Sequence, residues 1–377
     1  MRVALDAIGI SRRGGGRMYM LPLLRSLAMQ FPSTEFDVWL DGPEASLAGF
    51  ANLTQHFQAV KNRFLARILL QMTLPVLTAR RGSAVTHFMK NLTVIGAGGR
   101  SVVTVYDLHP VVEPRIYPTY DALYWRYVQP MALRRVDHII AISQHTAQDL
   151  IRRYRLDPKA IDIIYPGVDA GFKPRSAREV AGTLAHYGVG PRYVIHVGAV
   201  SLKKNLEALI RAFAISKADG YPGDLVMVGA VYEKLDAVPL VEIANQAGVA
   251  GSIRILGEVP DDHLRELVSG AELFVFPSMY EGFGLAVAEA MASGVPVVVA
   301  RAGAVAEVVG DAAPVLEDGA NHVELAQRMG EIIRDGSRRD AVARACLRRA
   351  ALFSWEAAAC STMSVYEKTI RSHRRLA

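Results

Sequence analysis

Apolar residues recur along this chain in short unbroken runs, separated by stretches where they return at helical spacing. In the first half the runs predict strands at Val3–Ile8, Phe36–Leu40, Ala84–His87, Val102–Tyr106, His138–Ile142 and Asp162–Tyr165. In the second half they predict Tyr193–Val197, Leu225–Val228, Ile253–Leu256, Leu273–Phe276, Pro296–Ala300 and Ala313–Leu316. Continuous apolar strands are those buried on both faces, and strands alternating with helices mark an α/β protein with parallel sheets. Two such sets predict two doubly wound, Rossmann-like domains. Between them, from Pro166 to about Gly190, the periodicity lapses where Pro166, Gly167, Pro174 and Gly190 cluster, which predicts a hinge. The domain spans then read 1–175 and 186–352, followed by 353–377, where Ser354 is placed to cap a helix from Trp355 to about Ile370.

Composition narrows the picture. A chain of 377 residues can bury two cores, and 51% apolar with 21% charged residues is globular. Cys346 and Cys360 are the only cysteines, too few for a disulfide framework or a zinc spacing, and a reducing compartment follows. The N-terminus runs straight into a strand with no signal-peptide pattern, so a cytoplasmic protein is expected. The run Ile68–Ala79 is interrupted by Gln71, Thr73, Pro75 and Thr78 and is too short to span a bilayer.

Charge is unevenly spread. Of the net +6, residues 1–175 hold 22 Lys/Arg against 13 Asp/Glu. No acid occurs from Ala45 to Tyr106, where Lys61, Arg63, Arg67, Arg80, Arg81, Lys90 and Arg100 stand. Their interleaving with Phe64, Leu65, Ile68, Leu69, Leu70 and Met72 predicts an amphipathic helix lying on an anionic membrane surface, peripheral at the inner face of the cytoplasmic membrane. No recognition helix or aromatic RNA-binding motif accompanies the charge, so nucleic acid is not an expected partner.

The segment Ser278–Gly294 carries the chemistry. The strand Leu273–Phe276 ends at Pro277, a glycine-flanked turn follows at Gly282-Phe283-Gly284, and a helix-forming run continues from Ala286 to Ala292. Such a turn leaves backbone N–H groups unpaired at a helix N-terminus, a site for phosphate. Glu281 falls on the loop and Glu289 one to two turns into the helix. Carboxylates beside a phosphate site suit hydroxyl groups, and a diphosphate with polyols at both ends is a nucleotide sugar. Upstream, Lys203 and Lys204 sit where a helix begins after Tyr193–Val197. Cations disfavour the positive end of a helix, so an anion shared with that end is implied.

The string P-S-x-x-E-G-F-G-x-x-x-x-E-A-M-x-x-G-x-P-V resembles the E-x7-E motif of retaining GT-B glycosyltransferases of family 4. The resemblance implies two Rossmann-like domains facing a central cleft, with a C-terminal helix crossing back to the N-terminal domain. It implies that Glu281 contacts the donor sugar, that Glu289 holds the ribose hydroxyls, and that Gly282, Phe283, Gly284 and Leu285 face the phosphates or the sugar. Lys204 matches the family's phosphate-gripping lysine, and Lys203 stands where arginine often does; Glu281 and Lys204 are the expected catalytic pair. Gly15, Gly16, Tyr106, Asp107 and His109 fall on the acceptor side of the cleft. The family commonly has histidine at the position of Tyr106, so no histidine role is carried over there.

Asp261-Asp262-His263 reads as a helix start with favourable acids, and no D-x-D metal motif is present. The expected reaction is a metal-independent hexosyl transfer with no cofactor beyond the nucleotide-sugar donor. The L-K-K-N and G-E-V-P segments resemble mannosyl- and rhamnosyltransferase members, which favours GDP-mannose. The acceptor is expected to be a lipid-linked or surface-polysaccharide precursor glycan. Two other classes share the scaffold, a sugar-nucleotide epimerase and a non-catalytic partner. Loss of Glu281 or Lys204 would mark the second, and both are present.

Overall fold

The computed structural model describes residues 1–11, 14–57, 78, 80–91, 100–231 and 239–374. The apolar residues Phe64 to Met72 of the expected amphipathic helix, with Lys61, Arg63 and Arg67, lie outside them. The chain forms two compact units, Met1–Gly167 with Ser354–Ala377, and Val168–Phe353.

Unit 1 is built on seven strands: β1 (Arg2–Asp6), β2 (Glu35–Leu40), β3 (Leu53–Phe57), β4 (Val85–Phe88), β5 (Ser101–Val105), β6 (His138–Ala141) and β7 (Ile161–Ile163). All pair in parallel, in the order β3-β2-β1-β4-β5-β6-β7. Every strand expected in this half is present, with ends moved by a residue or two. β3 was not foreseen. Its sequence, Leu-Thr-Gln-His-Phe, has apolar residues only at the ends, because an edge strand with β2 as its single neighbour keeps one side wet.

The helix Trp355–Arg374 belongs to unit 1 and packs on the helix Gly15–Gln30. The Ser354 hydroxyl accepts the Ala357 N–H at 3.0 Å, the cap its position predicts. Trp355 meets Tyr19 edge-on at 5.6 Å, and Tyr366 is fully buried with its hydroxyl 2.6 Å from His87 Nδ1. Burial pushes the His87 pKa down to about 3, so this ring is neutral and structural. The chain can return here because Gly167 has no side chain; a Cβ would stand 2.1 Å from the Trp355 nitrogen.

Unit 2 is a six-stranded parallel sheet: β8 (Tyr193–Val197), β9 (Asp224–Val228), β10 (Ile253–Gly257), β11 (Leu273–Phe276), β12 (Val297–Ala300) and β13 (Val315–Leu316). The order is β10-β9-β8-β11-β12-β13. Val194, Leu209, Phe213, Leu225, Val275, Val298 and Leu325 form the core of one face. From β8 the chain winds outward to β10, then returns to lay β11 on the other side of β8. That reversal opens a crevice beyond the carboxyl ends of β8 and β11, the place where doubly wound sheets bind ligands. In unit 1 the same reversal falls between β1 and β4.

Candidate active site

Both chemical segments of unit 2 leave the sheet at its reversal. The loop after β8 closes with a short turn, Leu202–Lys204, and Asn205 follows in the left-handed region at φ 52°. Asparagine tolerates that conformation, and its Nδ2 donates to the Gly319 carbonyl at 2.6 Å. The turn directs Lys204 inward until it is 8% exposed. Lysine is seldom buried without a partner. Here Nζ lies 2.6 Å from Glu281 Oε1 and 4.5 Å above the centre of the Phe276 ring.

Glu281 is held as firmly as its partner. Its carbonyl accepts the Ala304 N–H at 2.9 Å, next to Gly303 at φ +59°, where a Cβ would lie 2.2 Å from that same oxygen. The Met279 N–H donates to the Lys203 carbonyl at 2.8 Å, which ties the β11 loop to the β8 loop. Ser278 Oγ donates to Glu281 Oε1 at 3.0 Å. Burial alone would raise this carboxyl's pKa. The Lys204 and Lys203 charges, with the hydrogen bonds from Lys204 and Ser278, outweigh it and bring the pKa to about 2.

Gly284 takes φ +95° and opens the helix Leu285–Ala292. Val287 donates to the Gly284 carbonyl at 2.9 Å, so the Gly284, Leu285 and Ala286 amides precede the first bond of the helix. Aligned amides of this kind fit a phosphate. The Phe283 side chain is buried edge-on against Phe353 at 5.2 Å, so only its main chain is left for a ligand. Glu289 is 7% exposed in that helix. Burial and the charges of Asp169 and Asp261, opposed by Arg265, push its pKa up to about 8. At neutral pH it carries a proton and can both donate and accept, a match for a diol.

The structure therefore joins Lys204, Ser278 and Glu281 directly and gives Glu289 a separate neighbourhood of Asp169, Asp261 and Arg265. Four contributors were missed from sequence. Ser278 stands in the quoted motif three residues before Glu281, a usable signal. His196 is a polar interruption of the apolar strand β8; it is buried, stacks on Phe276 at 5.5 Å, and its Nδ1 lies 2.9 Å from the Val275 carbonyl. Burial lowers its pKa to about 4, so it brings no charge to compete with Lys204. Asp169 and Arg265, joined at 3.2 Å, left no local signal, because the fold alone brings them to Glu289.

In unit 1, Gly14 at φ +132° precedes the helix Gly15–Gln30, so Gly15 and Gly16 form its first turn. Lys90, at the end of β4, packs on this loop: a Cβ at Gly9 would stand 3.0 Å from its Nζ, and one at Gly16 3.7 Å from its Cε. Tyr106, Asp107 and His109 follow β5. The Tyr106 hydroxyl donates to the Met89 carbonyl, and burial holds its pKa well above the ordinary phenol value. Asp107 Oδ1 accepts the His109 N–H at 3.2 Å, and buried His109 places Nδ1 2.7 Å from the Tyr117 hydroxyl. Tyr106 and His109 are thus turned into the unit. Ser143 caps the helix Gln144–Tyr154, and Asp261 and Asp262 open the helix Asp261–Ser269, the second as expected. Among the described residues no group of three or more His, Cys, Asp or Glu is placed to hold a metal ion, and no helix is long and apolar enough to cross a membrane.

Two doubly wound, parallel-sheet domains, each with its strand order reversing at the middle of the sheet, define a protein of the GT-B fold class. Residues 188–347 match the family of glycosyl transferases group 1, and residues 49–172 match Glycosyltransferase Family 4; the chain belongs to this family of glycosyltransferases. It is 29% identical over 273 residues to the O-antigen chain mannosyltransferase B of Escherichia coli, covering 71% of this chain and 70% of that one. It is 33% identical over 261 residues to the D-inositol 3-phosphate glycosyltransferase of Salinispora tropica, covering 65% of this chain and 54% of that protein, about half its length. Among solved structures, the Anabaena protein HepE in complex with UDP-glucose superposes with a TM-score of 0.76 at 19% identity, over 97% of this chain and all of that one, a likeness of fold.

Proposed function

We propose that this chain is a retaining hexosyltransferase that takes a hexose from a nucleotide sugar, GDP-mannose foremost, and places it on a lipid-linked or surface-polysaccharide precursor glycan. The buried Lys204–Glu281 pair at the carboxyl ends of β8 and β11 carries this reading. In the reaction the bond from the anomeric carbon to the diphosphate oxygen breaks. The acceptor hydroxyl oxygen bonds to the same face of that carbon, and its proton passes to the departing diphosphate. Lys203, Lys204 and the amides from Gly282 to Leu285 stabilise the charge that grows on the leaving group, so the step requires no metal. Glu281 accepts from a donor-sugar hydroxyl and Glu289 engages the ribose diol. Unit 1 takes the acceptor, with Gly15, Gly16 and Asp107 on that side and Tyr106 and His109 supporting the loop. The likeness to an O-antigen mannosyltransferase supports mannose and a surface glycan. Work on such an acceptor places the protein in the cytoplasm, peripheral at the membrane through the basic half of the chain.

The test is a thermal-shift panel of GDP, UDP, dTDP and ADP with their sugar conjugates, without added metal. Ligands that bind only the folded state raise the melting temperature by mass action. GDP-mannose is expected to give the largest shift, and Lys204→Ala to lose it. A flat response to every nucleotide, or wild-type turnover by Lys204→Ala or Glu281→Ala, would overturn the assignment.

A further inference from the structure

From Thr119 to Leu133 unit 1 is helical without a break: Thr119–Leu123, a π turn at Tyr124–Val128, then Gln129–Leu133. One side of this helix is core, with Gln129, Pro130, Ala132 and Leu133 buried. The other presents Tyr120, Leu123, Tyr127 and Met131, which are 67, 51, 55 and 48% exposed. Their spacings of three, four and four residues put them in one row along one face. Single exposed apolar residues are ordinary, whereas a continuous row marks a contact surface. Arg115, Arg126, Arg134 and Arg135 are exposed along the same stretch, against Glu113 and Asp121 as the acids between 113 and 135. The Arg126 guanidinium stands 5.5 Å from the centre of the Tyr127 ring.

We propose that this face docks on an anionic lipid bilayer. Tyrosine has an apolar body and a polar tip, and suits the boundary between acyl chains and headgroups. Arginines beside such a row meet lipid phosphates, each a favourable contact near a negative surface. A second copy of the chain fits poorly, since a symmetric contact would set the same arginines against one another. The inference deepens the membrane-surface reading above, and gives it described residues in place of the interleaved stretch from Lys61 to Met72. It stands apart from the transfer chemistry.

The test is co-sedimentation of the full chain with phosphatidylcholine vesicles containing about one-third phosphatidylglycerol, and with vesicles of phosphatidylcholine alone. The wild type is expected to bind only the first and to be released by high salt. Replacing Tyr120, Leu123, Tyr127 and Met131 together by Ser weakens binding about tenfold or more at an unchanged melting temperature. Replacing Arg115, Arg126 and Arg135 by Gln weakens it about fivefold per arginine and erases the preference for anionic lipid. Should the serine variant not fold, the arginine variant carries the test alone. No binding by the wild type, or wild-type binding by a folded variant of either kind, overturns the proposal. So does a dimer that the serine variant dissolves while vesicles bind nothing, which makes the face a subunit contact. The nucleotide-induced thermal shift, read on the same samples, follows unit 2 and separates loss of docking from loss of donor binding.

Discussion

A lysine and a glutamate 2.6 Å apart, each side chain at most 13% exposed, behave differently from a surface ion pair. Removing one partner strands the other charge in a dry site, at a cost of about 3–5 kcal/mol. Lys204→Met is therefore expected to lower stability by that order and turnover by about a hundredfold or more, the usual effect of losing a leaving-group stabiliser. Adding Glu281→Gln to it should recover most of the stability and none of the activity. Urea unfolding beside a transfer assay checks both, and a double variant no more stable than Lys204→Met would refute the stranded charge. The acids also divide the pH axis. Glu281, with a folded pKa of about 2 against an ordinary 4.5, adds stability above pH 4.5 that is lost as pH falls toward 2. Glu289 is the reverse case: at about 8 its folded pKa exceeds the ordinary 4.5, so its contribution is full below 4.5 and is lost as pH rises to 8. Glu289→Gln should thus flatten the fall in stability between those two pH values, and equal slopes for variant and wild type would show that Glu289 does not keep its proton. Glu281, Glu289 and Lys204 could be chosen from spacing alone, because carboxylates and amines at the ends of strands announce their chemistry. Ser278 offered a signal within the same motif, three residues before Glu281, whereas Asp169 and Arg265 offered none, because the fold alone brings them to Glu289.

At the scale of elements, the site depends on where glycine permits a close approach. Gly303 stands at φ +59° against the Glu281 carbonyl. Gly303→Ala adds a strained backbone and a 2.2 Å clash, so the Glu281 loop must move. We expect a stability loss of about 2 kcal/mol or more and a weaker nucleotide-induced thermal shift. A normal shift in this variant would mean that the loop tolerates displacement. This role was not legible, since Gly303 lies far along the chain from Glu281. Strands were read more easily: β8 and β11 match their expected ends, as buried parallel strands are apolar throughout. The edge strand β3 escaped because the same rule does not bind a strand with one neighbour.

For the whole molecule, the return of the chain to unit 1 is the feature with the largest mechanical consequence. Tyr366 is fully buried in that unit and bonded to His87. Tyr366→Ala is expected to cost about 3–5 kcal/mol, from the cavity and from a His87 nitrogen left without its partner. Denaturant unfolding followed by tryptophan fluorescence would register it, since Trp39, Trp125 and Trp355 all lie in that unit. An unchanged midpoint would show that the last helix contributes little to unit 1. By itself the sequence determined the α/β class, two doubly wound domains, the glycosyltransferase motifs and a basic first half, since these follow from periodicity, local turn chemistry and counted charge. The tertiary structure decided the rest: that Lys204 and Glu281 meet, that burial raises the pKa of Glu289, that Tyr106 and His109 turn inward, and that an apolar row from Tyr120 to Met131 stays uncovered. Those outcomes depend on desolvation and on contacts between distant residues, and neither quantity exists until the chain has folded.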